Sequence, residues 1–203
     1  MDELAPLARF LDPRPALEAA AQPIADSVSI PVEELARRMH ELPPRHGRGV
    51  VAGPEPWATQ GVESLRASGR EAVLAESWRF GGDGRGRLWR PNDFLAEIAE
   101  GLPWGEALDL ACGTGRDAVY LASLGWKVTA IDHLPDALER GQDLARRYLR
   151  PESAGRIRWI CQDLEKEPVR GEFDLVSIFW YLDRRVMRSI PDCLRRGGSL
   201  VLE

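Results

Sequence analysis

One stretch decides the fold: it runs Leu108-Asp109-Leu110-Ala111-Cys112-Gly113-Thr114-Gly115 and places two glycines between a strand pattern and a helix pattern. At such a turn the backbone must bend tightly and let a ligand approach, which glycine permits because it has no Cβ. The stretch therefore predicts a nucleotide-binding loop. Taken alone it leaves two cofactor classes open, since Gly113-x-Gly115-x-x-Ala118 also satisfies the fingerprint of NAD-type dinucleotide sites.

Alternating strands and helices surround this loop. Apolar runs predict strands at 107–111, 127–131, 157–161, 173–178 and 199–202. Helical patterns fit the gaps: one at 116–124 is stopped by Gly125, one starts near Pro135, and one carries Val186, Ile190 and Leu194 and ends before Gly197. Strands separated by single helices imply an α/β fold with a parallel, doubly wound sheet.

Acidic residues lie at or just after the carboxyl ends of the first three strands. They decide between the two cofactor classes. Asp109 precedes the glycines, where it would repel a pyrophosphate but attract the ammonium group of an amino acid. Asp132 can accept hydrogen bonds from both ribose hydroxyls, and Asp163, next to Gln162, can accept one from an adenine amine. Asp109 or Asp132 can instead cap the following turn, and Asp163 can be a solvent-facing loop residue. Together, at successive strand ends, they favour S-adenosylmethionine.

The fourth strand ends in Phe179-Trp180-Tyr181, aromatic groups beside the place where the methyl group of the cofactor would project. They predict a pocket for a small-molecule methyl acceptor, shaped by packing or cation–π contact, although Trp180 can also be a core residue. Tyr181 or Asp183 lies in the right loop for a base, but methyl transfer needs none and we assign no catalytic residue. The acceptor itself is not specified by the sequence.

These motifs resemble class I S-adenosylmethionine-dependent methyltransferases, in residues 107–116, 128–132 and 162–163. The run from Gly115 to Ala122 resembles the small-molecule branch with the tellurite-resistance and thiopurine enzymes. The resemblance implies a Rossmann-like domain that binds the methionine part near Asp109, the ribose at Asp132 and the adenine at Asp163 with Leu164. The implied cofactor-binding residues are Asp109, Ala111, Cys112, Gly113, Thr114, Gly115, Arg116, Asp132, His133, Gln162, Asp163, Leu164 and Phe179. Ala111 departs from the family, which often has glycine there.

The N-terminal part predicts a smaller α/β unit. Its patterns indicate strands at 8–11, 49–52 and 72–75, a helix over 30–42 and a helix from Trp57 that stops near Gly69. Segments 10–14, 23–31, 34–35 and 41–43 resemble a rhodanese domain covering residues 1–80. The loop where that family carries its catalytic cysteine is 52–57, which has none, and Glu55 would repel an anionic sulfur donor. We expect a noncatalytic rhodanese-like domain, then a Gly- and Arg-rich linker at 81–91 and the methyltransferase domain at 92–203.

Composition limits the partners. The chain of 203 residues has 27 basic and 32 acidic residues and a net charge of -5, which disfavours nucleic acid and anionic membranes. No apolar run reaches the roughly 18 residues of a membrane helix, and the first residues do not resemble a signal peptide, so we expect a cytoplasmic protein. Three cysteines and three histidines are scattered, which gives no support for a metal site.

The last predicted strand ends at the last residues of the chain, whereas the family's sheet continues with two more strands. We therefore expect a chain truncated after strand five that lacks part of its acceptor pocket, and an exposed sheet edge or the N-terminal domain that a protein partner can use. Two alternatives stay open: a noncatalytic cofactor-binding or scaffold protein, and an NAD-dependent oxidoreductase.

Overall fold

The computed structural model describes residues 4–203, which form two compact units. The first unit is Ala5–Arg90, and the second is Pro91–Glu203 together with Leu4. Within the described residues, no helix is both long enough and apolar enough to cross a membrane. The same residues contain no group of three or more His, Cys, Asp or Glu side chains that could hold a metal ion.

The first unit is built on a four-stranded parallel sheet. Its strands are β1 (Phe10–Asp12), β2 (Ser27–Ser29), β3 (Gly49–Val51) and β4 (Ala72–Leu74), in the order β2-β1-β3-β4. Its helices are α1 (Ala16–Ala21), α2 (Val32–Leu35) and α3 (Trp57–Ala67), with a 3-10 turn at Met39–Glu41. The core is formed by Leu11, Val28, Ile30, Leu35, Leu42, Val51, Ala58, Val62, Leu65 and Ala72. The α/β character predicted for this unit is confirmed.

The local structure predicted for this unit contains one wrong helix and lacks two elements. The helix expected over 30–42 is interrupted, because buried Arg38 departs from helical geometry and its guanidinium binds Glu34 and Glu41. This arrangement brings Leu42 into the core. Helix α1 and strand β2 were not predicted, because β2 has only three residues and two of them are serines.

The segment predicted as a linker is packed against the first unit. The backbone of Arg85 forms an isolated β-bridge with that of Val28, and the backbone of Arg87 forms one with that of Leu7. Trp89 is completely buried. The glycines and arginines of this segment thus surround an anchoring tryptophan, and the first unit extends through Arg90.

The second unit contains the doubly wound sheet that the sequence predicts. Strands β5 (Glu106–Leu110), β6 (Lys127–Asp132), β7 (Ile157–Cys161), β8 (Phe173–Ile178) and β9 (Leu194–Leu202) are all parallel, in the order β7-β6-β5-β8-β9. The chain moves outward from β5 to β7 and then crosses to β8 on the other side. The topological switch point therefore lies between β5 and β8, which is where sheets of this class bind ligands.

Five helices accompany this sheet: α4 (Asp93–Ala99), α5 (Arg116–Leu124), α6 (Pro135–Tyr148), the short α7 (Pro151–Ala154) and α8 (Arg184–Cys193). The Asn92 side chain accepts a hydrogen bond from the backbone N–H of Leu95 at 3.1 Å and so caps the start of α4. Gly125, with a φ of 110°, ends α5 as predicted. The last helix is shorter than predicted, because Leu194 is already the first residue of β9. Strand β9 is an edge strand whose Leu200 and Leu202 are exposed.

Candidate cofactor site

The loop between β5 and α5 turns through three left-handed residues. Ala111, Gly113 and Gly115 have φ values of 54°, 55° and 67°. Two backbone hydrogen bonds hold the turn, one from Cys112 N to Ile131 O at 3.0 Å and one from Gly115 N to Cys112 O at 2.8 Å. Only glycine adopts this conformation without strain, so Ala111 costs the loop about 1–2 kcal/mol.

The two glycines of the loop have different surroundings. A Cβ added to Gly113 would meet no atom within 4 Å, whereas one added to Gly115 would overlap the ring of Trp159 on β7. The same ring lies 2.7 Å from the position of a Cβ on Gly141 of α6. Gly115 is thus required by packing, and Gly113 leaves open space against which a ligand can lie.

A cavity of about 370 Å³ adjoins the loop at the switch point. Seven of the predicted cofactor-binding residues line it: Asp109, Ala111, Cys112, Gly113, Thr114, Arg116 and Phe179. Leu110, Asp117, Trp180 and Tyr181 complete the wall. The volume falls within the range of about 300–1,000 Å³ found for small-molecule sites.

Asp109 is the most unusual residue of this wall. It is 1% exposed, and its Oδ1 accepts a hydrogen bond from the Ser177 hydroxyl at 3.1 Å. No donor among residues 4–203 meets hydrogen-bond geometry at its Oδ2. Burial, followed by the charge of Asp117, raises the pKa of Asp109 well above its ordinary value, although Ser177 and the backbone of Ala118 partly offset this. A buried carboxylate with an unused oxygen is stabilised when a cation binds beside it.

Asp117 is a second carboxylate of the cavity, and the sequence analysis did not assign it to the site. Its Oδ1 accepts a hydrogen bond from the backbone of Asn92 at 2.6 Å, and burial raises its pKa. An acid in the first turn of a helix is ordinarily explained by the helix dipole, so the sequence carried no distinct signal for it. Together Asp109 and Asp117 favour a ligand with a positive group over a pyrophosphate.

Asp132 supports the loop from the neighbouring strand. Its Oδ2 accepts a hydrogen bond from Gly113 N at 2.8 Å, and its Oδ1 accepts one from Leu134 N at 2.9 Å. Each oxygen keeps a further lone pair for a ligand hydroxyl. His133 lies beside it, exposed, with Nδ1 at 3.5 Å from Asp132 Oδ1. Both residues border the loop without lining the cavity.

The predicted adenine-binding residues lie apart from the cavity wall. Asp163 forms an ion pair with Lys166 at 2.8 Å and accepts a hydrogen bond from Glu165 N, and Lys166 lowers its pKa. Gln162 donates from its side chain to the carbonyl of Glu167 at 3.2 Å. Leu164 packs against the core of the second unit. In this structure Asp163 is a half-buried loop residue whose carboxylate is engaged by Glu165 N and by Lys166.

Three aromatic residues form the opposite wall. Phe179 is buried, whereas Trp180 is 86% exposed and has a φ of 59°. Burial, with the charge of Asp183, raises the pKa of Tyr181. Asp183 itself caps α8 by accepting hydrogen bonds from Arg185 N and Val186 N, and Arg185 lowers its pKa. At neutral pH Tyr181 therefore stays protonated, and Asp183 is engaged in the cap.

Cys112 lines the cavity but is not a nucleophile. Burial raises the pKa of its thiol, and the charges of Asp109 and Asp132 raise it further. Since the thiolate is the reactive form, this cysteine is inert near neutral pH.

Comparison with known proteins identifies the class of this domain. Residues 107–198 match the family model described as a methyltransferase domain. The match starts in β5 and ends in β9, so it contains the glycine loop, the switch point and the aromatic wall. The methyltransferase class predicted for this part of the chain is confirmed.

Curated relatives agree with the family model. The chain is 28% identical over 140 residues to nodulation protein S of Rhizobium tropici, which covers 65% of this chain and 56% of that protein. It is 27% identical over 168 residues to glycine N-methyltransferase of Oryctolagus cuniculus, covering 72% and 55%. The chain thus spans about half the length of these relatives.

The glycopeptide N-methyltransferase MtfA complexed with S-adenosylmethionine aligns with a TM-score of 0.48 and 24% identity, over 54% of this chain and 52% of that one.

Proposed function

We propose that this chain, whose residues 107–198 form a methyltransferase domain, transfers the methyl group of S-adenosylmethionine to a small-molecule acceptor. The feature that carries the proposal furthest is the unpartnered Oδ2 of Asp109, in the wall of the cavity beside the glycine loop. S-adenosylmethionine has an ammonium group and a positive sulfonium, and both are attracted by Asp109 and Asp117. A dinucleotide would bring phosphate charges to the same carboxylates.

The surroundings of Asp109, Gly113 and Asp132 support a role for each in cofactor binding. The ammonium group binds at Asp109, the ligand lies against the open side of Gly113, and the ribose hydroxyls use the free lone pairs of Asp132. The adenine occupies the segment 162–164. Because Lys166 is exposed and Asp163 is only half-buried, their pairing is easily exchanged for a ligand.

S-adenosylmethionine supplies a methyl carbon that its sulfonium already activates, so the protein contributes by orienting the acceptor and excluding water. Phe179, Trp180 and Tyr181 line the cavity and contact the acceptor, with the ring of Trp180 on its solvent-exposed side. Since Tyr181 stays protonated and Asp183 caps a helix, the acceptor presents its own lone pair. An amine in its neutral form, or an acidic hydroxyl or thiol, meets this requirement.

The names of the relatives include N- and O-methyltransferases, such as the magnesium-protoporphyrin O-methyltransferase of Rhodobacter capsulatus, 29% identical over 112 residues. We accordingly include nitrogen, oxygen and sulfur acceptors in the proposal, with the tellurite and thiopurine branch as one candidate. Nucleic acid stays disfavoured by the net charge of -5.

Calorimetry of the whole chain tests the cofactor. We expect binding of S-adenosylmethionine and S-adenosylhomocysteine and little binding of NAD. Asp109→Asn should weaken both by about tenfold or more, the usual effect of losing a buried charge-assisted hydrogen bond. The matched control is Asp136→Asn on the exposed face of α6. Tight NAD binding without a response to the other two ligands would overturn the proposal.

An activity assay separates the enzyme from a noncatalytic cofactor-binding protein. The chain is supplied with S-adenosylmethionine and a panel of amines, phenols, thiols and metalloid oxyanions, and release of S-adenosylhomocysteine is followed. Turnover with any acceptor excludes the noncatalytic alternative. Cofactor binding without turnover across the panel favours it.

For the first unit we propose a noncatalytic rhodanese-like module that, with the edge of β9, offers surfaces to a protein partner. Its support is the parallel α/β sheet and the loop 52–57 after β3, which has no cysteine. Glu55 in that loop accepts a hydrogen bond from the Thr59 hydroxyl at 2.8 Å, so a carboxylate lies where a sulfur donor would need a cation. We expect no transfer of sulfur from thiosulfate to cyanide, and measurable transfer would contradict this assignment.

A further inference from the structure

A second cavity, of about 210 Å³, lies in the first unit at the amino ends of its strands. The residues just before β1 and β4 and the start of β3 line it, so it is at the opposite end of the sheet from the loop 52–57. Its apolar lining includes Leu11, Leu42 and Leu65, which belong to the core of the unit. A ligand in this cavity would place an apolar body against the leucines.

The polar part of the lining is strongly basic. It contains Arg9, Arg48, Arg70 and Arg90, and a single acidic residue, Glu71. Glu71 is paired with Arg48 at 2.6 Å in an exposed ion pair. A local excess of arginines is notable in a chain whose net charge is -5, because the overall composition does not account for it.

The arginines differ in how they are held. The guanidinium of Arg70 donates to the carbonyl oxygens of Pro43 at 2.6 Å and Met39 at 3.3 Å, which fixes it in the wall. Within residues 4–203, Arg9 and Arg90 have no ion-pair partner, and Arg9 lies over the ring of Phe10 at 5.1 Å. Two guanidinium groups beside an apolar cavity thus have no carboxylate of this unit to neutralise them.

We propose that this cavity binds a small organic carboxylate, with its apolar body on the leucines and its carboxylate held by Arg9 and Arg90. Guanidinium groups favour a carboxylate because they donate two parallel hydrogen bonds to it. The volume is below the roughly 300 Å³ at which pockets for larger ligands begin, so the ligand is compact, such as an aromatic or short-chain acid. This binding site is separate from the methyl-transfer site and does not depend on that proposed function.

Benzoate is a suitable probe, with benzyl alcohol as a neutral analogue and inorganic phosphate as an anion without an apolar body. The whole chain is titrated with each and the amide resonances are followed by NMR. We expect benzoate to bind at least tenfold more tightly than either control and to shift the amides of Gly47 and Gly49, which line the cavity. Equal binding of benzyl alcohol, no benzoate binding at about 10 mM, or binding that leaves these two amides unshifted would overturn the proposal.

A pair of double variants tests the arginines. Arg9→Ala with Arg90→Ala should weaken benzoate binding tenfold or more. The matched control, Arg79→Ala with Arg85→Ala, removes two exposed arginines of the same unit that do not line the cavity and should leave binding unchanged. Equal losses in both pairs, or no loss in the first, would contradict the proposal. Because the wild-type comparison needs no variant, it remains decisive if a double variant fails to fold.

Discussion

Asp12 and Asp109 occupy corresponding places in the two sheets, yet their surroundings are opposite. Each is 1% exposed, and each lies at or next to the carboxyl end of an interior strand. Asp12 receives two hydrogen bonds from the guanidinium of Arg14, at 2.9 and 2.6 Å, whereas Asp109 accepts one at Oδ1 from the Ser177 hydroxyl and its Oδ2 has no partner that meets hydrogen-bond geometry within residues 4–203. A buried carboxylate with its own counterion is neutralised within the fold, and one without it is suited to a ligand that brings the cation.

The largest expected effect comes from removing Arg14, the partner of Asp12. Arg14→Met should lower the free energy of unfolding by about 3–5 kcal/mol, because it leaves the buried charge of Asp12 uncompensated. Urea denaturation measures the loss, with the exposed Arg79→Ala as a control expected to change little. Adding Asp12→Leu to Arg14→Met should recover most of the stability. A loss below about 1 kcal/mol would show that the ion pair is not what separates the two sites.

Replacing Asp109, which has no counterion in the described part of the chain, should change the free energy of unfolding in the opposite direction. Without ligand at pH 7, Asp109→Asn should raise the free energy of unfolding by about 1–2 kcal/mol, since it removes a buried carboxylate that lacks a partner. A fall in stability of similar size would mean that Asp109 already has a compensating partner in the fold.

The stability difference between the wild-type chain and Asp109→Asn should also depend on pH. The pKa of Asp109 is raised in the folded state, so above the unfolded value of about 3.9 the folded chain binds more protons than the unfolded one. The contribution of Asp109 to stability is therefore lost as the pH rises from the unfolded pKa of about 3.9 through the raised pKa of the folded state. The advantage of Asp109→Asn should shrink as the pH is lowered from 8 to about 4, which unfolding at several pH values will measure. A difference that does not vary with pH would exclude a raised pKa.

The smallest expected effect concerns the loop that carries the unpaired site. Ala111 has a φ of 54°, so Ala111→Gly should relieve strain and raise the free energy of unfolding by roughly 0.5–1 kcal/mol after the entropic cost of glycine. Thermal denaturation beside the control Ala137→Gly on α6, which should destabilise, gives the comparison.

How much the sequence could predict differs between the two units. The strands and main helices of the second unit were predicted because its apolar runs are long and its stop signals, such as Gly125, are clear. The first unit has three-residue strands, and a buried arginine, Arg38, interrupts its expected helix. Neither the short strands nor the buried arginine can be recognised from the spacing of apolar residues in the sequence. Trp89 shows the same limit, because one buried side chain holds a segment whose glycines and arginines predict a linker.

The candidate site divides in a similar way. The glycine loop follows from local sequence, and the structure brings its residues to one cavity with Phe179. The orphaned oxygen of Asp109, the nearby Asp117 and the Lys166 partner of Asp163 depend on the arrangement of side chains in the folded structure. Residue types and spacing identified where a ligand can bind, but not which acids are free to bind it.

The ring of Trp159 has a consequence for how this domain can vary. It fills the space left by Gly115 on the loop and by Gly141 on α6, so three positions far apart in the chain share one volume. A larger residue at either glycine is compatible with the fold only where position 159 becomes smaller. Sequences related to this one should therefore show covariation among the three positions, linking a residue of the cofactor loop to the distant edge strand β7.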